Sequence, residues 1–313
     1  DLEILNNLTV DLNNIQVVSA NKLQRKAYID TSLNTDASYQ VIALRSGYWA
    51  QMTGLTFLDK DSIRNSQLDA YNSRKQLYGI VHKRIANTSI GKLSYAEFLK
   101  VTAFDDIDSL IYGIYCQSYP GKTTFSINCN KCGKKIDLQI HPLRLIEVHD
   151  ESVYGYIDDL IKQKLTVDEL IAQSQVSVTD RFLLPESKII VDVRTPTCEE
   201  HLNTLARWDS QTMSNSLETF GCMVFIKSMF VPNFQAIKQT GKPIYTEITD
   251  FDEAFNIICN LKDDGEFLNN AINKREKKLS ISYRIESVPC ASCGHNMGKI
   301  PVDIERLLYF QME

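Results

Sequence analysis

A chain of 313 residues, 43% hydrophobic and 23% charged, has the composition of a globular protein and can bury one large core or two smaller ones. Its formal charge of -5, with no run of five or more lysines and arginines, provides no general basic field for phosphate backbones, so nucleic acid is an unfavoured partner. No stretch approaches the roughly 18 consecutive apolar residues of a membrane-spanning helix, and residues 1–10 lack the basic-then-apolar order of an export signal, which predicts a soluble, unexported chain.

Residues 1–40 are rich in Asn, Asp, Ser and Thr and predict an extended arm that orders on a partner. Residues 41–118 then predict a strand pair and a helical region. Residues 41–44 and 55–58 suit short strands around Gly47 and Gly54. Across 62–85, Leu68, Tyr71, Leu77, Ile80, Val81 and Ile85 recur at the spacing of one long amphipathic helix. Ser94 and Glu97 predict a capping box, with Leu93 packed on Phe98 as its staple. Asp105 and Asp106 begin a further helix bearing Leu110, Ile111, Ile114 and Tyr115. Asp105, Asp106 and Asp108 suit helix-start acids, and Tyr119-Pro120-Gly121 ends the helix.

Eight cysteines would suggest disulfides in a small secreted chain, but here four fall into two C-x-x-C pairs, which favours a reducing compartment and a metal site. Cys116, Cys198, Cys222 and Cys259 stand singly among apolar residues and are expected as buried core thiols. The pairs are Cys129-Asn130-Lys131-Cys132-Gly133 and Cys290-Ala291-Ser292-Cys293-Gly294. This spacing lets a tight knuckle aim both sulfurs at one point. The following glycine permits positive φ while backbone N–H groups turn toward the thiolates.

The flanks repeat as well. Ile136, Leu138, Ile140 and Leu143 follow the first knuckle at the mutual spacing of Ile300, Val302, Ile304 and Leu307 after the second, with a link three residues longer in the second. Two knuckle-plus-strand units predict a zinc ribbon in which Cys129, Cys132, Cys290 and Cys293 bind one structural Zn2+. Its first half spans 119–152 and its second 280–313. The 157 residues between Cys132 and Cys290 form an insertion, tolerable because closure cost rises only logarithmically with loop length.

Residues 153–279 predict an inserted α/β lobe. Its start is helical, with Thr166 and Glu169 as a second capping box and Leu165 opposite Leu170. Residues 189–193 suit a strand, and Thr195-Pro196 suits a helix opening with proline in its first turn. Further apolar material lies at 223–230 and 250–261, the latter helical after Asp250. The basic cluster at 274–278 suits a solvated helix end. The expected class is α+β: a helical N-terminal region and a four-cysteine ribbon interrupted by an α/β insertion.

Three alternatives attach to the cysteines. Thioredoxin-like redox pairs begin helices, whereas these are flanked by alternating, strand-like sequence. Iron in a rubredoxin-like shell has the same ligands as zinc. Two separate sites, one completed by His295, are a third arrangement. Elsewhere, Gly121-Lys122-Thr123 ends like a phosphate loop, but Cys116 stands where its first glycine belongs. No H-E-x-x-H, G-x-S-x-G or G-x-G-x-x-G occurs, and His82, His141, His149 and His201 show no motif spacing. A thiolate-saturated metal has no open position for water or substrate, so neither an enzyme nor a small-molecule substrate is expected.

Three features together resemble the zinc-ribbon baseplate proteins of contractile-tailed bacteriophages, a group related to the central baseplate hub protein of T-even phages. They are the helix from Asp105 to Tyr119 running into the first knuckle, the strand-Thr195-Pro196-helix segment after Leu183-Leu184-Pro185, and the terminal knuckle followed by an apolar strand and Leu307-Leu308-Tyr309-Phe310. The resemblance covers roughly residue 41 to 313. It implies a structural subunit of the virion's tail baseplate, assembled in the host cytoplasm and contacting hub, tail-tube or wedge proteins. A nucleic-acid-binding zinc-ribbon accessory factor, supported by Lys122, Lys131, Lys134 and Lys135, and a baseplate assembly chaperone are the competing expectations.

Overall fold

The computed structural model describes residues 40–64, 69–119, 121–148, 152–176, 180–210, 217–279, 281–286 and 288–310; the expected N-terminal arm lies outside them except for its last residue. Within them the chain is a mixed α/β protein with several small antiparallel sheets.

Strands β1 (Gln40–Ala43) and β2 (Trp49–Met52) form a hairpin, and β3 (Ile85–Thr88) adds to its second strand. The strand expected at 55–58 is instead the start of helix α1 (Phe57–Arg64). Asp59 accepts from the Thr56 N–H at 2.9 Å while its own N–H donates to the Thr56 hydroxyl at 3.3 Å, and this reciprocal cap outweighs the β preference of the apolar run. The single helix expected across 62–85 is also divided. Helix α2 (Ala70–Lys83) has its own N-cap, Asp69, whose carboxylate accepts the Asn72 N–H at 2.8 Å, and Ile85 belongs to β3 rather than to a last turn.

The Ser94/Glu97 capping box opens helix α3 (Tyr95–Val101) as expected, with Leu93 and Phe98 both buried. Helix α4 (Asp106–Ser118) is buried on nearly all sides, because it lies between the β1–β2 hairpin, α2 and the C-terminal elements. Gly113 permits this approach. A Cβ there would meet Ile42 Cγ1 and Met52 Cγ, each at 2.8 Å. Gly113→Ala is therefore expected to lower stability by about 1–2 kcal/mol, overpacking outweighing alanine's helix preference. A urea midpoint unchanged or raised would show that the sheet yields at no cost.

Strands β4 (Thr123–Asn128) and β5 (Lys135–Ile140) form a hairpin, followed by a 3-10 turn at Pro142–Arg144 and β6 (Ile146–Val148). Helices α5 (Ser152–Lys162) and α6 (Val167–Val176) follow. Thr166 and Glu169 cap α6 reciprocally, and Leu165 and Leu170 join the first core. The second sheet has the order β10-β9-β8-β7: β7 (Asp180–Leu183), β8 (Ile190–Val193), β9 (Ile226–Pro232) and β10 (Tyr245–Ile248), every pairing antiparallel.

Helix α7 (Cys198–Ser210) starts two residues after Pro196, not with it. Thr197 and Glu200 make the cap reciprocally at 2.9 and 3.3 Å, a Thr-x-x-Glu signal that holds the N-terminus more strongly than a first-turn proline. Helices α8 (Leu217–Phe225), α9 (Phe234–Thr240), α10 (Phe251–Cys259) and α11 (Asp263–Leu279) complete this part. Asp250 caps α10 as expected, accepting the Glu253 N–H at 2.8 Å. The chain then runs through β11 (Ile281–Ile285), β12 (Ile300–Pro301) and α12 (Ile304–Phe310).

Two cores result. The first joins β1, β2, α2, α3 and α4 with Cys198 and Leu202 of α7 and with Tyr283, Ile285, Ile304, Leu307 and Leu308 of the C-terminal elements. The second gathers Val191, Val193, Met229, Phe255, Ile258, Leu268 and Ile272. Cys116, Cys198 and Cys222 are buried as expected, but Cys259 is exposed at the end of α10. The basic cluster at 274–278 is not wholly solvated either. Lys274 is exposed, whereas Arg275 turns inward to Asp180 at 2.7 Å and Thr195 at 2.9 Å.

Candidate metal centre

The first knuckle is the tip of the β4–β5 hairpin. Six consecutive residue pairs, from Thr123 with Ile140 to Asn128 with Lys135, leave residues 129–134 as the connection. There the Cys129 N–H donates to the Lys134 carbonyl at 2.9 Å and the Gly133 N–H to the Cys129 carbonyl at 2.8 Å, with Gly133 at φ +69°. The second tip repeats this, bond for bond. The Cys290 N–H donates to the His295 carbonyl at 2.8 Å, the Gly294 N–H to the Cys290 carbonyl at 2.8 Å, and Gly294 has φ +67°. In both tips glycine takes the left-handed conformation that closes the turn without a Cβ clash. His295 contributes its backbone here.

Helix α4 positions both tips. The Tyr115 hydroxyl lies 2.6 Å from the Thr123 hydroxyl at the start of β4, and the Tyr112 hydroxyl donates to the Pro142 carbonyl beyond β5 at 3.2 Å. From the other side Tyr283 of β11 stacks on Tyr112 at 4.8 Å and donates to the Ser109 hydroxyl at 3.3 Å. β11 also pairs with β6 as well as β12, so the chain following the first hairpin and the chain entering the second knuckle share one sheet. The tyrosines were hidden in the sequence among ordinary apolar positions of a helix; only their hydroxyls separate them from phenylalanines.

The four sulfurs converge. All lie within 4.8 Å of one another, with Cys129 and Cys293 at 3.8 Å and Cys132 and Cys290 at 3.7 Å. A disulfide requires about 2.05 Å. A tetrahedral shell with metal–sulfur bonds of about 2.3 Å has sulfur–sulfur edges of about 3.8 Å. The donor set therefore fits one tetrahedral thiophilic ion, and the arrangement of two separate sites is corrected: the pairs share a single point. Cys129 and Cys290 are buried, Cys132 and Cys293 exposed.

Backbone dipoles prepare the thiolates. The N–H groups of Cys132 and Lys131 hold the Cys129 thiol below its usual range, and those of Ser292 and Cys293 lower Cys290 to about 6. At Cys293 the His295 N–H acts in the same sense, but partial desolvation and the three neighbouring sulfurs prevail and push it up to about 12. Four sulfurs this close keep a proton among them unless a cation takes its place.

Neither pair begins a helix; both occupy turns, as the flanking alternation predicts. The equivalence of the flanks is only partial. Ile136, Leu138 and Ile140 lie on β5, but β12 covers only Ile300 and Pro301, and Ile304 and Leu307 belong to α12. The expected apolar strand after the second knuckle is thus largely helix, because Ile304, Leu307 and Leu308 turn one helical face into the first core. Cys116 is inside α4, which removes the phosphate-loop reading of Gly121-Lys122-Thr123. His201 is buried against Tyr78, whose hydroxyl lies 2.6 Å from Nδ1, and burial lowers its pKa to about 4. Among the described residues no helix is long and apolar enough to cross a membrane.

Comparison with protein-family models, with curated proteins and with solved structures returns no match for this chain.

Proposed function

We propose that Cys129, Cys132, Cys290 and Cys293 bind one structural zinc ion in an interrupted zinc ribbon, and that the protein is a non-catalytic building subunit of a contractile phage tail baseplate. The observation that carries the metal reading is the convergence of four sulfurs within 4.8 Å, two of whose separations, 3.7 and 3.8 Å, match the shell of a single ion. Four thiolates fill that shell, so the ion would act as a staple between two hairpin tips rather than as a Lewis acid. The baseplate role rests on the sequence resemblance; a metal-fixed framework suits it, since a subunit of a large assembly must keep its contact surfaces in fixed relation.

Elemental analysis of protein purified without added metal is expected to give one zinc per chain. Four thiols should resist alkylation until a chelator is added, while Cys259 reacts at once. Visible absorption from an iron tetrathiolate would replace zinc by iron, and four thiols that react freely before chelation would end the metal reading. The assembly role is tested by mixing the protein with tail-tube, hub and wedge proteins: stable co-assembly and presence in finished particles support a subunit, and presence only in intermediates supports a chaperone. A second reading, nucleic-acid binding, draws on exposed Lys131 and Lys134 at the first knuckle. A salt-dependent DNA titration discriminates it.

A further inference from the structure

The sulfur cluster is divided by exposure in the same way at both tips. Cys129 and Cys290, the first cysteine of each tip, are buried, whereas Cys132 and Cys293, the second of each, are exposed. Backbone N–H groups of Lys131 and Cys132 point at the Cys129 sulfur, and those of Ser292 and Cys293 at the Cys290 sulfur. The close contacts run crosswise. Exposed Cys132 lies 3.7 Å from buried Cys290 of the other tip, and exposed Cys293 lies 3.8 Å from buried Cys129. Each tip thus turns one sulfur to solvent and presents the other, held by backbone donors, to the exposed sulfur of its counterpart.

An oxidant arrives from solvent, so the exposed sulfur of such a pair reacts first. Its attack on hydrogen peroxide breaks the O–O bond, leaves a sulfenic acid on Cys132 or Cys293 and releases water. The buried sulfur of the opposite tip already stands in contact. It attacks the oxidised sulfur, and the sulfenic oxygen departs as a second water with a proton from solvent. Forming an S–S bond of about 2.05 Å closes a gap of roughly 1.7 Å, which two side chains share.

We propose that the cluster is a redox-convertible staple: peroxide joins Cys132 to Cys290 and Cys129 to Cys293, and two covalent bonds between the tips take over the task of the metal ion. Over the whole cluster two peroxide molecules accept four electrons from four sulfurs. With four protons from solvent and their own hydrogens, their four oxygens leave as water, and a cation held by the thiolates is given up. The exchange of staples rests on the zinc reading of this site; the crosswise pairing rests on the sulfur geometry alone. Pairing within each tip would have the opposite result, since it would release the ion and leave the two hairpin tips unjoined.

The test treats the full-length Cys259→Ser chain, which lacks the exposed thiol outside the cluster, with hydrogen peroxide, blocks remaining thiols in acid and digests with trypsin. Cleavage after Lys122, Lys131, Lys134, Arg284 and Lys299 places Cys129 in peptide 123–131, Cys132 in 132–134, and Cys290 with Cys293 in 285–299. Crosswise pairing joins all three peptides into one species that reduction dissolves. Pairing within tips joins only 123–131 to 132–134 and closes 285–299 on itself. Fragmentation between Cys290 and Cys293 identifies which peptide each holds. The expected product is the three-peptide species with Cys132 on Cys290, in a protein whose thermal midpoint chelator no longer lowers until dithiothreitol is added. Pairing within tips, the reverse crosswise register, sulfinic acids in place of disulfides, unreacted thiols, or a midpoint that falls on oxidation as far as on chelation overturns the proposal. Metal content measured before peroxide keeps the two readings apart. A zinc-free chain that pairs crosswise counts against the zinc reading and the exchange of staples while upholding the pairing, and a zinc-loaded chain that pairs within tips sinks this proposal alone.

Discussion

Cys290→Ser is expected to abolish stoichiometric metal binding and to lower the stability of the C-terminal elements by several kilocalories per mole, part of the about 10–16 kcal/mol that a complete structural zinc site contributes. Cys290 is buried and accepts backbone N–H groups at its sulfur, so the variant loses a prepared ligand and leaves three thiols that cannot close a tetrahedron. The effect should spread beyond the site. β11 connects β12 to β6, and Tyr283 of β11 contacts α4, so loosening the second tip loosens one wall of the first core. Thermal unfolding with and without chelator is the measurement. The wild-type midpoint should drop on chelation to near that of the variant, whereas chelator should not move the variant. Cys259→Ser, changing an exposed thiol outside the cluster, is the control expected to behave as wild type. A variant that retains one equivalent of zinc and the wild-type midpoint would refute the four-sulfur centre.

Asp106→Ala should be comparably damaging for an unrelated reason. The Asp106 side chain is 2% exposed by residue and accepts the Arg45 N–H at 3.0 Å, the Ser46 N–H at 2.8 Å and the Ser46 hydroxyl. The Ser46 oxygen in turn accepts the Ala103 N–H at 2.7 Å. One carboxylate thereby ties the turn between β1 and β2 to the start of α4. Its removal strands two partly buried backbone donors at about 1–2 kcal/mol each, for a total of about 2–4 kcal/mol. Asp106→Asn keeps the shape and one acceptor and should lose about half as much. Urea midpoints with unchanged slopes are the readout; an alanine variant within about 0.5 kcal/mol of wild type would mean that water replaces the carboxylate freely.

The four clustered cysteines and Asp106 differ in how far the sequence announces them. C-x-x-C-G fixes a local turn, so both knuckles were legible, and the Ser94/Glu97 and Thr166/Glu169 boxes were legible on the same ground of short-range geometry. The joining of two knuckles 157 residues apart was inferable because two matching C-x-x-C-G units suit the two halves of one four-sulfur cluster. Asp105 and Asp106 were read only as acids at a helix start. Their partners, Arg45 and Ser46 for the pair and Glu276 for Asp105, lie far along the chain, and nothing local in the sequence announces them. The misplaced strand at 55–58 and the undivided helix across 62–85 share a cause. In both, apolar spacing suggests one element while the short-range caps of Thr56/Asp59 and Asp69 set the helix starts. At Pro196 the proline is the weaker helix-start signal, and the Thr197/Glu200 pair one residue later sets the boundary.

The wide separation of the two knuckles has a consequence during synthesis. At roughly 5–20 residues per second, the ribosome needs on the order of 10–30 s to travel from the first doublet to the second, and throughout that interval the nascent hairpin offers an ion half a cage. Capture becomes tight only once the later thiols emerge and the intervening polypeptide has brought them alongside. On the proposed zinc reading, chains interrupted before residue 290 would remain metal-poor and loosely closed, so acquisition of the ion would mark the molecules whose translation has passed that point.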